Sequence, residues 1–177
     1  MNKKLVLSLL LLVVMSAVYR IIPHRPMGFA PQIAIALFSG AIFIDNKRWA
    51  FSLPLLSMFI SDLLYQILYI NGMTEIQGFY SGQWINYLLI GSISLFGFNS
   101  STMPKLFSGI MLAPTYYFLV SNLIVWIFGG GYNRPMLLQC YIDGLPFYLN
   151  SIWATMFFGL TLFASYEFIS HKILKYE

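Results

Sequence analysis

Long apolar runs alternate with short polar interruptions along this chain, and the runs set the first expectation. They cover 5–22, 29–44, 50–70, 84–98, 106–128 and 148–169. A helix needs about 20 apolar residues to cross the hydrocarbon of a bilayer, and shorter runs are tolerated where the flanks or the bilayer adjust. The pattern therefore predicts an all-α integral membrane protein, a bundle of six transmembrane helices in a single domain over 1–177. Breakers fall where the runs end: Pro23 and Pro26, the run Asp45 to Arg48, Asn71-Gly72, the stretch NSSTMPK, and Gly129 to Gly131. The opening stretch MNKKLVLSLLLLVVMS imitates a secretory signal, but the hydrophobicity continues beyond it, so it is expected to stay as the first helix.

Six spans put the loops on alternate sides, and the basic residues then choose an orientation. With the amino terminus inside, Lys3, Lys4, Lys47, Arg48, Lys105, Lys172 and Lys175 fall on the inner side, against Arg20, Arg25 and Arg134 on the outer. Basic residues are normally kept on the cytoplasmic side, so both termini are expected there, in a multi-pass protein of a bacterial cytoplasmic (inner) membrane. The loop YRIIPHRP, Tyr19 to Pro26, is then outside, where topology alone gives no reason for Arg20, His24 and Arg25.

The same orientation assigns a depth to each polar residue within a run. Asp62 and Gln66 share a face beyond the midpoint of the third run. Ser121 and Asn122 lie in the outer part of the fifth, with Trp126 one turn beyond Asn122. Gln32, Asn86 and Asn150 lie near the outer entrances of the second, fourth and sixth. Apart from Glu167, the stronger polar groups gather in the outer half. A charge at mid-helix costs about 2.5–3.5 kcal/mol on insertion scales, so Asp62 is expected to face a partner or a wet cavity, with Arg20 nearest in depth. Two readings follow. These groups are either hydrogen-bonding glue between helices, or the lining of an outward cavity roofed by the loops carrying Arg20, His24, Arg25 and Arg134. Tyr and Trp gathered at that boundary suit an interfacial belt, and a few could stack on a flat ligand.

In QIAIALFSGAIF the second run carries a bare stripe of small residues, with Ala36 and Gly40 at the small-xxx-small spacing that lets another helix approach closely. Packing inside the bundle and docking to a partner subunit both fit this stripe.

Composition narrows the function classes. With 59% hydrophobic and 9% charged residues and a mean hydropathy of +0.74, the 177-residue chain has too little polar surface for a water-soluble core. Its net charge of +4 is spread through loops and makes no basic stripe for nucleic acid. The single Cys140 excludes an intramolecular disulfide and reads as a packing residue. His24 and His171 have no metal-ligand spacing, so neither metal nor cofactor is expected. The chain holds no Gly-x-x-x-x-Gly-Lys loop, no His-Glu-x-x-His and no Gly-x-Ser-x-Gly, which argues against an enzyme.

The stretches FAPQIAIALFSGAIF, SNLIVWIFGGGY and CYIDGLPFYLNS, the Arg20 to His24 segment and the Ser61-Asp62 pair resemble a bacterial family of small six-helix membrane proteins catalogued as a domain of unknown function. That family is in turn similar to the substrate-binding S components of energy-coupling factor transporters. Met27-Gly28 departs from it, standing where an Asn is expected before the Phe-x-Pro. The resemblance implies a vitamin-sized pocket open to the outside and a separate ATP-driven module. The expected ligand set is Arg20, His24, Arg25, Asp62, Gln66, Asn86, Asn122, Trp126 and Arg134, taking a small polar or anionic solute. Ala36 and Gly40 are the expected partner contact. The alternative expectation is a non-catalytic structural or accessory subunit of a larger membrane complex, with an intramembrane enzyme or a proton-coupled transporter through Asp62 behind it.

Overall fold

The computed structural model describes residues 3–100, 103–128 and 136–174, with side chains over 9–100, 104–128 and 136–168. Six α-helices are present and no strand occurs among the described residues: α1 Lys3–Arg20, α2 Gln32–Ile42, α3 Lys47–Ile70, α4 Gln83–Gly97, α5 Met103–Phe128 and α6 Leu137–Leu174. Three stretches are long and apolar enough to cross a membrane: Lys47–Ile70, Pro104–Phe128 and Leu137–Phe168. Leu9–Arg20 of α1 and the whole of α2 are apolar but shorter.

The largest departure from the apolar runs is at α6, which starts at Leu137 rather than at 148. Gly144 and Pro146 read as loop residues, yet both lie inside the helix. Gln139 Nε2 donates to Asp143 Oδ1 one turn on (2.8 Å), so the polar residues there support a helical turn. Gly144 leaves room for the Asn122 side chain of α5, whose Oδ1 would lie 2.6 Å from a Cβ placed there.

The short α2 is the axis of the bundle. At 11 residues it is about 16 Å long, roughly half the hydrocarbon thickness. It packs against α3, α4, α5 and α6, and every residue from Gln32 to Gly40 is buried. That explains its sequence: a helix surrounded by others is apolar on all faces, with small residues where backbones meet. Gly40 and Gly97 are that meeting point. A Cβ on Gly40 would lie 2.1 Å from the Ser94 carbonyl, and one on Gly97 would lie 2.3 Å from the Leu37 carbonyl. Ala36 and Gly40 are thus covered by this chain's own bundle, and the internal reading of the stripe is the one observed.

A proline fixes a second junction close by. Pro54 lies inside α3 and has no N–H for the Ala50 carbonyl one turn back. Ser39 Oγ of α2 and Ser94 Oγ of α4 donate to that carbonyl instead, at 2.7 and 3.0 Å. Hydroxyls restoring a freed backbone acceptor are what allow proline within an apolar helix. Around these junctions lie two apolar clusters, one on Ile33, Leu37, Met58, Ile93 and Ile110, the other on Leu9, Val13, Phe38, Ala50 and Leu53.

Candidate functional site

The site is built where the end of α1, the start of α2, the second half of α3 and the first turns of α4 converge. Arg20 is the last residue of α1. Its Nη1 donates to Asp62 Oδ1 at 2.5 Å and to Ser61 Oγ at 2.6 Å, both on α3. Asp62 is 1% exposed, and its second oxygen accepts from Gln83 Nε2 and from Tyr87 OH (2.7 Å), both on α4. Ser61 Oγ in turn donates to the Met58 carbonyl (2.8 Å). This buried carboxylate has a cation and two neutral donors, the condition under which a buried ion pair is tolerated in a low dielectric. The expected Arg20–Asp62 pairing is therefore present, and Gln83 and Tyr87 join it.

Several expected ligand residues are absorbed by structure. Arg25 Nε donates to the Arg20 carbonyl (2.7 Å) and Nη1 to the Phe29 carbonyl (3.3 Å). Tyr65 OH also donates to the Arg20 carbonyl (2.6 Å), so the end of α1 has its orphan acceptor satisfied twice. Gln66 Oε1 accepts from the Phe79 amide (3.1 Å), holding the segment before α4 against α3. Gly78 lets that segment come close, since a Cβ there would lie 1.9 Å from the Asp62 carbonyl. His24 is exposed and takes a left-handed backbone, φ 61°. Arg134 lies outside the described residues.

Beside this network is a cavity of about 340 Å³ between α2, α4, α5 and α6. Of the expected ligand residues, Arg20, Asn86 and Asn122 line it. Asp62, Gln66, Arg25, His24 and Trp126 do not. The remaining wall is Gln32, Ile33, Met58, Ile90, Tyr117, Phe118, Ser121, Gly144, Phe147, Tyr148 and Ser151, with Gly28 and Ala30 of the α1–α2 loop as a roof. That loop is fastened down: Asn150 Nδ2 donates to the Met27 carbonyl (2.8 Å), and Gly28, at φ 82°, packs so closely that a Cβ would lie 2.5 Å from the Phe147 carbonyl. The departure at Met27-Gly28 thus has a packing reason.

One lining residue stands out. Gln32, in the first turn of α2, is 5% exposed, and neither its Nε2 nor its Oε1 has a hydrogen-bond partner. Leaving a buried polar group unpaired costs about 1–3 kcal/mol. Ser57 Oγ is likewise unpaired, but Ser57 does not line the cavity. Asn122 Nδ2 is committed to the Phe118 carbonyl (2.8 Å) and Asn86 Nδ2 to Tyr80 OH. Gln32 was visible in the sequence as a polar residue opening an otherwise apolar run, but nothing local distinguished it from Gln66 or Asn150, which turned out to be structural. Among the described residues no three His, Cys, Asp or Glu side chains come together, so no metal centre is formed by them.

The Family of unknown function (DUF6580) matches residues 1–176. The chain belongs to this family. No curated protein and no solved structure matches it. Family membership therefore brings no reaction and no ligand, and the functional reading has to come from the cavity itself.

Proposed function

We propose that this protein is a membrane-embedded solute-binding subunit whose ligand occupies the cavity beneath the α1–α2 loop. The observation that carries this reading is a cavity of about 340 Å³ whose mostly apolar wall carries Arg20, Asn86, Ser121 and Asn122, with the buried, unpaired Gln32 in the same wall. Pockets at the small end of the ligand-binding range have this size, with mostly apolar walls and a few placed polar groups. In the six-span arrangement with both termini in the cytoplasm, favoured by the distribution of Lys and Arg, the cavity end is the outer one. The likeness to S components rests on the sequence motifs and on the six helices. If the subunit serves transport, a separate ATP-driven module supplies the work, because this chain has no phosphate-binding loop of the Gly-x-x-x-x-Gly-Lys type.

The test is direct. Full-length protein purified from membranes in mild detergent is heat-denatured, and the released small molecules are identified by mass spectrometry. A solute should be recovered in near-stoichiometric amount from the native protein and be lost from Ser121→Phe, which fills the cavity from α5. Equal recovery from both proteins would place the ligand elsewhere. The stripe of Ala36 and Gly40, the contact expected of an accessory subunit, is buried against this chain's own helices.

A further inference from the structure

We infer that a groove between α4 and the first half of α5 holds one anionic phospholipid, its phosphate on Lys105 and Asn99 and an acyl chain along Leu95 and Leu112. The groove encloses about 540 Å³ and is separate from the solute cavity, whose α5 residues begin at Tyr117. The inference stands independently of the solute-binding reading.

Two helical stripes form the walls. Ser92, Leu95, Phe96 and Asn99 follow the i, i+3, i+4, i+7 spacing of one face of α4, and Lys105, Ser108, Gly109 and Leu112 repeat it on α5. Leu95 and Leu112 are each 54% exposed, so the apolar wall is open to a neighbour. Tyr116, one turn beyond Leu112, closes the far end. Its hydroxyl lies 3.0 Å from Ser92 Oγ, and its ring centroid 5.2 Å from that of Phe96. Ser92 Oγ donates to the Leu89 carbonyl (2.7 Å), so Tyr116 is the donor between the two hydroxyls, and this end requires no polar occupant.

Length and polarity identify the occupant. From Lys105 to Tyr116 the helix rises about 16 Å, close to half of a hydrocarbon core about 30 Å thick. Lys105 lies at the start of Pro104–Phe128, a stretch long enough to span, which puts its ammonium at the level of the headgroups. A groove one leaflet deep, apolar along its length and polar at its mouth, has the outline of a phospholipid. A helix from a partner would cross the whole bilayer, and a soluble metabolite would leave the apolar length unfilled.

Charge then selects the headgroup. Lys105 and Asn99 are both exposed, and among the described residues neither side chain has an ion-pair or hydrogen-bond partner. No Asp or Glu lines the groove. An anionic headgroup therefore meets an unmatched cation and an unused amide donor. The ammonium of a zwitterionic headgroup would lie beside Lys105 with no carboxylate to receive it. In the orientation favoured by the Lys and Arg distribution this mouth is on the cytoplasmic side, where anionic lipid gives the leaflet its negative surface potential.

The experiment titrates full-length protein in mild detergent with an equimolar mixture of phosphatidylglycerol and phosphatidylcholine of the same acyl chains, and counts lipid adducts by native mass spectrometry. A single-lipid adduct is expected, favouring phosphatidylglycerol by about five-fold, the effect of one basic residue at a membrane surface. Lys105→Gln should bring the ratio close to one. Lys47→Gln removes the same charge from the start of α3, outside the groove, and should leave the ratio unchanged. Leu112→Trp should fill the groove and abolish the adduct of both lipids, and if that variant does not accumulate, Leu95→Trp fills it from α4. An equal ratio in the native protein, a preference that survives Lys105→Gln, an equal fall in Lys47→Gln, or an undiminished adduct in the tryptophan variant would each overturn the inference. Excess glycerol 3-phosphate should displace none of the lipid. Displacement would assign the groove to a soluble phosphate and overturn the inference as well.

Discussion

At one end of α2, Ser39 and Gly40 lie in a dry junction where the serine hydroxyl reaches the Ala50 carbonyl and the glycine touches the α4 backbone. At the other, Gln32 lies as deeply buried with neither amide atom paired. The two ends share a helix and a degree of burial, and differ in whether the protein itself satisfies their polar atoms. Buried polar groups in folded proteins are almost always paired. The first end follows that rule within the chain, and the second does not. The closed end is where the bundle gets its stability, and the open end gives up some of it.

This contrast can be broken from the closed side with the largest effect. Gly40→Leu forces a side chain into the Ser94 carbonyl, where even a Cβ would lie at 2.1 Å. A loss of at least about 3 kcal/mol, or failure to accumulate in the membrane, is expected, read by detergent thermal melts and by expression level. Next is Arg20→Met, which strands the Asp62 carboxylate and should cost about 3–5 kcal/mol. The double variant Arg20→Met with Asp62→Leu should recover most of that loss in the same melts, because no uncompensated charge is left behind. If the double variant is no more stable than the single, the ion pair does not act as a unit.

Smaller effects sharpen the comparison. Ser39→Ala and Ser94→Ala should each cost about 0.6–1.7 kcal/mol, the range found for hydrogen bonds between helices in membranes. Together they should cost more than their sum, since each hydroxyl covers for the other at the Ala50 carbonyl. Strict additivity in a double-mutant cycle would contradict the shared acceptor. The smallest change is Asn150→Ala, which releases the Met27 carbonyl and loosens the cavity roof. We expect about 1 kcal/mol in stability and faster hydrogen exchange over residues 21–31, with exchange in α2 unchanged.

The apolar runs located all six helices, and most boundaries agree within a few residues because breakers such as Asn71-Gly72 act locally. At α6 the same rule failed. The runs left Gly144 and Pro146 in the connection before the sixth, but both lie within α6, the first against the Asn122 side chain of α5 and the second tolerated in an apolar setting. The site shows a similar division. The pairing of Arg20 with Asp62 was legible from depth alone, because a charge in an apolar run needs a counter-charge. The fates of Arg25 and Gln66 were not, since Arg25 meets carbonyls that only the conformation of its own irregular loop brings to it, and Gln66 meets the Phe79 amide where the segment before α4 folds back on α3.

By itself the sequence determined that the chain is helical and apolar, and that its polar side chains gather toward one end of the bundle, because periodicity and breakers are properties of neighbouring residues. Which polar atoms neutralise one another was decided only by the tertiary structure. Asp62 and Gln32 are both polar and buried within apolar helices, yet the first has partners and the second does not. A hydrogen bond exists or fails over a few tenths of an ångström, and that distance is set by how helices far apart in the chain come to rest against each other.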